Sequence, residues 1–587
     1  RCLEGDKMMP DVVGKSLYRL PATIVEDLGT LRRMMEQFKN GEVSALQFRA
    51  FRVPLGVYEQ REAGTFMLRV RLPGGGLLPH HMRALARVSK SYGNGVLHLT
   101  TRQDVQVHGV PLDAVYPALM SLFEAGLSTK GGGGNTVRNI TACHAAGVCA
   151  EEAFDVTSYT LALTESLLAD PLSFQLPRKY KIAFSGCGRD CAGATINDLG
   201  FVAKRRGETL GFVVYAGGGM GAYSRVGELL EGFVPTSEVY LVAEAVKRVF
   251  DQHGNRKNRH KARLRFLVDR IGFGAFKDLY KRQRAELQGV LPPLAVRPSQ
   301  GEPPGAQEEV PSAAAPAEGF EAWKRANVEA QRQEGYFLVW LPLFLGDIEA
   351  DLMLELADVV EVYGEGMLRV EQHQNALLRW VPANRLVALH ARLAQLGLAT
   401  SLPPILRDMV ACAGASTCQL GICLSRGLAK AIAAELSQAP LDLASLGDVQ
   451  VYISGCPNAC GRHPIASIGF FGAARRAHGR LAPHSIVEQG GKLAEGQTRL
   501  AQNRAAVSTG NIPGVLKALR WVADTVRRPV AIPARNVPAF LRDLLVAFQR
   551  APQFPDLEAF LEADGKEVAG ALLSEYRQVP DFEEDKN

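Results

Sequence analysis

The sequence predicts an α+β fold written twice, a tandem pseudo-two-fold duplication within one chain. Three observations carry this. A single shift of 269 positions relates eight of the ten cysteines, apolar runs alternate between strand and helix in each copy, and a Pro- and Ala-rich stretch separates the copies.

The shift takes Cys143, Cys149, Cys187 and Cys191 onto Cys412, Cys418, Cys456 and Cys460. It also takes Arg138 of VRNITAC onto Arg407 of LRDMVAC, and Leu72-Pro73 onto Leu341-Pro342. With two extra residues, YGNGVLHLTTRQ (92–103) lies on YGEGMLRVEQHQ (363–374). Between the copies, residues 291–319 are rich in Pro, Ala, Gly and Glu without apolar periodicity and read as an extended linker.

Within a copy, TFMLRVRL (65–72) and GVLHLTT (95–101) alternate as strands do, and HHMRALARVSKSYG (80–93) between them reads as a helix stopped by glycine. RKYKIAFSGC and DVQVYISGC are short strands that deliver their cysteines into the following turn. ASTCQLGICLSRGLAKAIAAEL (415–436) reads as one long helix, and PAFLRDLLVAFQ (538–549) as another.

With 587 residues, 47% of them apolar and 22% charged, the chain has material for about three to five globular domains. No uncharged apolar stretch of about 18 residues appears, and RCLEGDKMMPDVVG lacks a charged-then-apolar targeting pattern, so no membrane span and a cytoplasmic location are expected. A formal charge of +6 is too small to argue for nucleic acid. The basic run RKNRHKARLR (256–265) reads as a solvated helix face.

Three readings compete for C-x5-C followed by C-x3-C. Disulfides suit small secreted chains, and structural zinc prefers tighter C-x2-C knuckles. A [4Fe–4S] cluster held by thiolates from two separated loops fits best, and the neighbouring Gly and Pro allow the close backbone approach that such a cluster needs. Cys423 and Cys2 lie outside the pattern and read as a buried helix thiol and an exposed tail.

The chain resembles the sirohaem and [4Fe–4S] family of nitrite and sulfite reductases. The residues that carry the likeness are ACAGASTC with GCPNACG, MLRVRLPGG, LTTRQDVQVHG, VRNITAC, LPRKYKIAFSGC and GFVVYAGGGMG, from about residue 45 to 285 and again from about 335 to 475. The resemblance implies ferredoxin-like half-domains joined in one domain, plus two α/β sirohaem and cluster domains. It also implies boundaries: an N-terminal extension (1–44), half-domain 1 (45–128), a first reductase domain (129–288), a linker (289–319), half-domain 2 (320–400), a second reductase domain (401–524) and a C-terminal helical extension (525–587).

By the same resemblance, Cys412, Cys418, Cys456 and Cys460 hold the cubane, and Cys460 also ligates the sirohaem iron. Arg69, Arg138, Lys179 and Lys181 line the substrate side, with Arg71 the near alternative to Arg69. Arg102, Gln106, His108 and Arg178 look like partners for the macrocycle's carboxylates. Lys179 and Lys181 share one face of an extended run and can converge on one oxyanion, and lysines set among cations should lose protons more readily, which suits a proton relay. The duplication offers an internal control. Under the shift Lys179 falls on Asp448, Lys181 on Gln450, Arg69 on Leu338 and Arg71 on Trp340, while Arg102 pairs with His373 in the offset segment. The second copy has lost the anion grip.

Cys143, Cys149, Cys187 and Cys191 depart from single-cluster assimilatory members and look more like the dissimilatory heterodimer. They are expected to hold a second [4Fe–4S] cluster. A second sirohaem, if bound there, should be inert, and the cluster would be useful as a relay. The expected reaction is six-electron reduction of sulfite to sulfide, with nitrite to ammonia at the same centre as the alternative and a cluster-bearing carrier or sensor as the rival from another class. The sulfite preference rests on the LPRKYK and TTRQ resemblance and on the dissimilatory-like second cysteine set. GGGMG (217–221) and GGGGN (131–135) lack a full nucleotide fingerprint and read as tight turns near the macrocycle. Electrons therefore come from an external donor such as ferredoxin or a flavoprotein subunit.

Overall fold

A computed structural model of the chain describes residues 16–297, 316–477, 480–502, 531–563 and 565–576. Cys2, residues 298–315 of the linker and the acidic end DFEEDKN lie outside the described residues. The chain divides into two compact units, Arg1–Gly219 with Gly227–Ser401, and Met220–Val226 with Leu402–Asn587.

The first unit contains three five-stranded sheets. In the first sheet the order is Val57–Glu59, Thr65–Val70, Val105–Pro111, Val96–Leu99 and Asp347–Glu349, all antiparallel. The second sheet runs Val328–Ala330, Tyr336–Leu341, Ala376–Pro382, Leu368–Val370 and Gly76–Leu77. Each sheet thus takes its last strand from the other copy: Ile348 pairs with Leu97, and Leu77 with Leu368. The half-domains are interlocked as well as adjacent.

Local sequence explains the elements. Thr65–Val70 buries Phe66, Met67, Leu68 and Val70 while Thr65 and Arg69 stay half-exposed. The helix Pro79–Tyr92 begins on a proline whose missing N–H costs nothing there, buries Met82, Leu85, Ala86 and Ser89 at helical spacing, and ends where the Gly93 N–H donates to Ser89 O. It packs on its counterpart Ala350–Val362, with Arg83 bridging Asp358 at 2.6 Å and Glu361 at 2.7 Å. One apolar core runs through both halves, including Leu68, Leu85, Leu97 and Val107 from the first and Val339, Leu341, Met353 and Leu378 from the second. Each such side chain contributes about 1.5–3 kcal/mol on burial.

The third sheet orders Glu228–Pro235, Thr209–Ala216, Leu199–Arg206, Ile182–Ser185 and Thr141–Ala142, and its last three strands are parallel. The second unit repeats that design with Val410–Ala411, Val451–Ser454, Ile468–Ala477, Arg480–Gln489 and Ala531–Pro533, in which the first three are parallel. The α+β class and the duplication are as the sequence predicts.

Two local expectations need correction. The run 415–436 is not one helix: the helix is Ser425–Gln438, and residues 415–424 form a tight loop after a short turn at Gly414–Ser416. Here Gly414 is left-handed (φ 56°), the Ile422 and Cys423 N–H groups both donate to Gly455 O, and a Cβ on Gly421 would lie 2.4 Å from Ala415 N. Backbone packing overrides helix propensity. Cys423 is buried as expected, with its Sγ 3.3 Å from His484 O, but it precedes the helix.

The basic run 256–265 is solvated over 256–261, as expected, but it is a turn and not a helix face, and its end is buried. Arg263 and Arg265 are each only 5% exposed, because the chain turns at Arg259–Lys261 and carries both inward. The helix Val537–Gln549 forms as expected.

Candidate active site and thiol clusters

The cations expected to serve the anion all lie in the first unit, and several converge. Arg69, on the strand Thr65–Val70, donates from Nη1 to Gly132 O at 3.2 Å and lies over the Tyr58 ring at 5.1 Å. Arg138 donates from Nη2 to the same Gly132 O. The GGGGN turn is therefore the shared anchor of two guanidiniums. It can be so tight only because a Cβ on Gly133 would sit 2.1 Å from Val53 O.

Gln106 lies between His108 Nε2 at 3.0 Å and Arg69 Nη2 at 2.8 Å, and its amide oxygen can accept from only one of them. His108 Nδ1 in turn meets Gln60 Nε2 at 3.1 Å. Beneath them Asp104 is buried, with Oδ2 4.0 Å from Arg69 Nε. Burial raises its carboxyl from the ordinary value even against the pull of Arg69, Arg138, Arg102 and Arg71. Burial alone would raise the Tyr58 phenol, yet Arg138, Arg69 and Arg178 outweigh it and bring it below the usual tyrosine range. Tyr58 escaped the sequence reading because a lone tyrosine on an edge strand carries no motif.

Arg71 sits differently. It is 1% exposed and its two Nη atoms donate to the carbonyls of Lys130 (3.3 Å), Val137 (3.0 Å) and Arg138 (3.1 Å), tying the loop after Leu127 to the strand end. Arg102 donates to Asn197 Oδ1 at 2.9 Å and Ile182 O at 3.0 Å, and burial lowers its guanidinium to about 9. Arg178 reaches Asn135 Oδ1 at 3.2 Å, and burial together with Arg259 and Arg263 lowers it.

Lys179 and Lys181 are half-buried and flank Tyr180, which is buried, so the two share a face. The Lys181 N–H donates to Asp198 Oδ2 at 2.9 Å. Asp198 also takes a two-point contact from Arg263, at 3.2 and 2.7 Å. Arg265 approaches Gly219 of the GGGMG turn, where an added Cβ would lie 3.0 Å from its Nη1. Burial lowers Arg265 to about 10, and its Nε and Nη1 lack partners among the described atoms. The sequence signal for Asp198, Arg263 and Arg265 was present only as charge, which cannot distinguish a buried arginine from a wet one.

The two cysteine sets have the same scaffold. Gly186 N–H donates to Cys143 Sγ at 3.1 Å, and Gly455 N–H donates to Cys412 Sγ at 3.1 Å. Cys143 N–H meets Phe184 O at 3.2 Å and Cys412 N–H meets Ile453 O at 3.1 Å. In both, the residue before the last cysteine is left-handed, Asp190 and Ala459 at φ 54°. None of these cysteines is in a disulfide. In the second unit Cys460 is close enough to Cys412 and Cys456, and Cys418 to Cys456, to raise their thiols electrostatically after burial has done so.

Residues 133–287 match the family described as the nitrite and sulphite reductase 4Fe-4S domain, and residues 58–124 and 329–396 each match the nitrite/sulfite reductase ferredoxin-like half domain. A ferredoxin–nitrite reductase of Synechococcus elongatus is 32% identical over 467 residues, covering 78% of this chain and 86% of the relative. The chain belongs to the nitrite and sulphite reductase family.

Another member, an assimilatory ferredoxin-dependent nitrite reductase of Haloferax mediterranei, is 30% identical over 79% of this chain and 80% of its own length. The solved NirA protein of Mycobacterium tuberculosis shares the fold, with a TM-score of 0.73, 24% identity and coverage of 94% of this chain and 98% of that one. Membership of the nitrite and sulphite reductase family implies a sirohaem and a [4Fe–4S] cluster. The donor chemistry fits: four unbridged thiols from two loops, with an amide N–H already aimed at one sulfur. Among the described residues no helix is long and apolar enough to cross a membrane.

Proposed function

We propose that this protein reduces nitrite to ammonia, using six electrons from a reduced ferredoxin, in the cytoplasm. The observation that carries this reading is the cation set gathered on Tyr58 and Gly132, in a chain whose relatives at 30–32% identity are named ferredoxin-dependent nitrite reductases. The relatives move the preference from sulfite, expected from LPRKYK and TTRQ, to nitrite. Sulfite is the second reading.

Cys412, Cys418, Cys456 and Cys460 would hold the cluster, with Cys460 also a ligand to sirohaem. When bound, these groups supply electrons to a small anion. Arg69 and Arg138 would neutralise the anion and the negative charge that grows on its oxygens. Lys179 and Lys181 would hold the protons that each N–O cleavage consumes, since oxygen leaves as water. Asp104, with Oδ2 4.0 Å from Arg69 Nε, would offset part of the charge gathered there.

Steady-state rates with reduced ferredoxin, or with reduced methyl viologen, test the reading on nitrite and on sulfite. Ammonium formation with kcat/KM for nitrite at least about tenfold above that for sulfite is the expected result, a difference of ~1.4 kcal/mol in barrier. The opposite ratio would make it a sulfite reductase. Loaded protein that turns over neither anion would be an electron carrier.

A further inference from the structure

The reading above gives no task to Cys143, Cys149, Cys187 and Cys191. We propose that these four hold a second [4Fe–4S] cluster, one with no tetrapyrrole beside it.

The sulfurs already meet. Cys149 and Cys187, Cys187 and Cys191, and Cys191 and Cys143 are each close enough to act on one another's thiol, so four thiols from two loops face one place. Cys143 and Cys187 are buried, Cys149 and Cys191 are half-buried, and none is bridged. The main chain around them repeats the second-unit scaffold atom for atom: the amide aimed at the first sulfur, the strand carbonyl that takes its N–H, and the left-handed residue before the last cysteine. Arg189 Nη2 lies 3.7 Å from Cys149 Sγ, a positive group suited to the net negative charge of a cube with four thiolates. Zinc suits the site less well. Structural zinc prefers tighter C-x2-C knuckles than the C-x5-C and C-x3-C pairs found here.

What is missing is a seat for a polycarboxylate ring. Leu338 and Trp340, which occupy the duplicated positions of Arg69 and Arg71, join Val148, Leu377 and Trp380 in a buried apolar cluster that packs on the cysteine loop. The His144 ring lies 5.0 Å from Trp340, and the Arg332 N–H closes over Val148 O at 2.7 Å. This roof is apolar, and polar side chains at its edge hold it to the loop: Arg332 and Gln333 donate to Gly147 O and Arg379 to Ala146 O. A macrocycle with many carboxylates would have to displace two indoles, and the cations beside the roof are already engaged, Arg379 with Glu365 and Ala146 O and Arg332 with Glu152 and Gly147 O.

Iron, acid-labile sulfide, zinc and extractable tetrapyrrole are counted per chain on anaerobically purified protein. About nine iron, about eight sulfide and one tetrapyrrole are expected, against about five, four and one for a single-cluster protein. About five iron with nitrite turnover would overturn this proposal and leave the proposed function standing, whereas colourless protein would end both. One zinc per chain, or two tetrapyrroles, would also overturn it. Cys187→Ser should remove about four iron and an electron-paramagnetic signal of a reduced cluster free of haem coupling, while the sirohaem band stays. If that variant does not fold, the wild-type count decides alone.

Discussion

Gln103 and Gln374 perform the same act in opposite directions: Gln103 Nε2 donates to Val370 O at 3.0 Å, and Gln374 Nε2 donates to Leu99 O at 3.1 Å. The offset of 271 that relates the two glutamines also relates Leu99 to Val370. Both residues are left-handed, at φ 56° and 72°, which turns their side chains across to the other copy. The pseudo-two-fold axis is thus closed by a pair of reciprocal hydrogen bonds.

Gln103→Ala should destabilise the protein by about 2–4 kcal/mol, because it strands the Ala142 N–H, Ala142 O and Val370 O inside the core. A urea midpoint unchanged from wild type would refute this account. Gln374→Ala should cost about 1–3 kcal/mol by the same mechanism.

Tyr58 should ionise below an ordinary tyrosine, since Arg138, Arg69 and Arg178 favour its phenolate despite burial. Difference absorbance between wild type and Tyr58→Phe, followed with rising pH, reports that ionisation directly. Loss of the phenolate signal below pH ~10 would mean the arginines do not act on it.

Asp198→Asn should cost about 3–5 kcal/mol by leaving Arg263 charged and unpaired where it is only 5% exposed. Replacing both, Arg263→Met with Asp198→Leu, should recover part of that loss. Equal destabilisation of the single and double variants, by denaturant titration, would argue against a buried-charge penalty.

Arg138→Met should lower kcat/KM by about 10²- to 10³-fold with iron and sirohaem content unchanged. Lys179→Met with Lys181→Met should alter the pH–rate profile and not merely its height. A profile of unchanged shape removes the proton-relay role while leaving anion binding intact.

Glu371 makes stability fall in acid. It accepts from the His373 N–H at 2.6 Å and the Asn375 N–H at 2.9 Å, and although burial opposes it, His373 and His144 bring its carboxyl down to about 2. The folded value lies below the unfolded one, so this stabilisation is complete above about pH 4.5 and fades as pH falls towards 2. It amounts to ~3 kcal/mol, and wild type should lose somewhat more than half of that advantage over Glu371→Gln between pH 6 and pH 3 in urea melts.

The repeat was the most legible feature of the sequence, because thiol spacing is a sharp signal and the copies kept it. It led to the paired sheets and to the matching Gly186 and Gly455 contacts. The long helix over 415–436 failed for a physical reason: Gly414, Gly421 and Gly455 need to touch, and that contact belongs to tertiary structure. Arg263 and Arg265 were misread because what they pack against, Asp198 and the turn at Gly219, lies more than forty positions away. Nor does periodicity say which copy a two-residue strand such as Gly76–Leu77 will join.

That exchange of edge strands has a consequence for how the molecule can be divided. A fragment ending in the linker would leave Val96–Leu99 or Leu368–Val370 with a bare ladder of amides and carbonyls, an invitation to mispair. Synthesised together as separate polypeptides, the fragments should each complete the other's ladder, so reconstitution from two genes is feasible where survival of either alone is not.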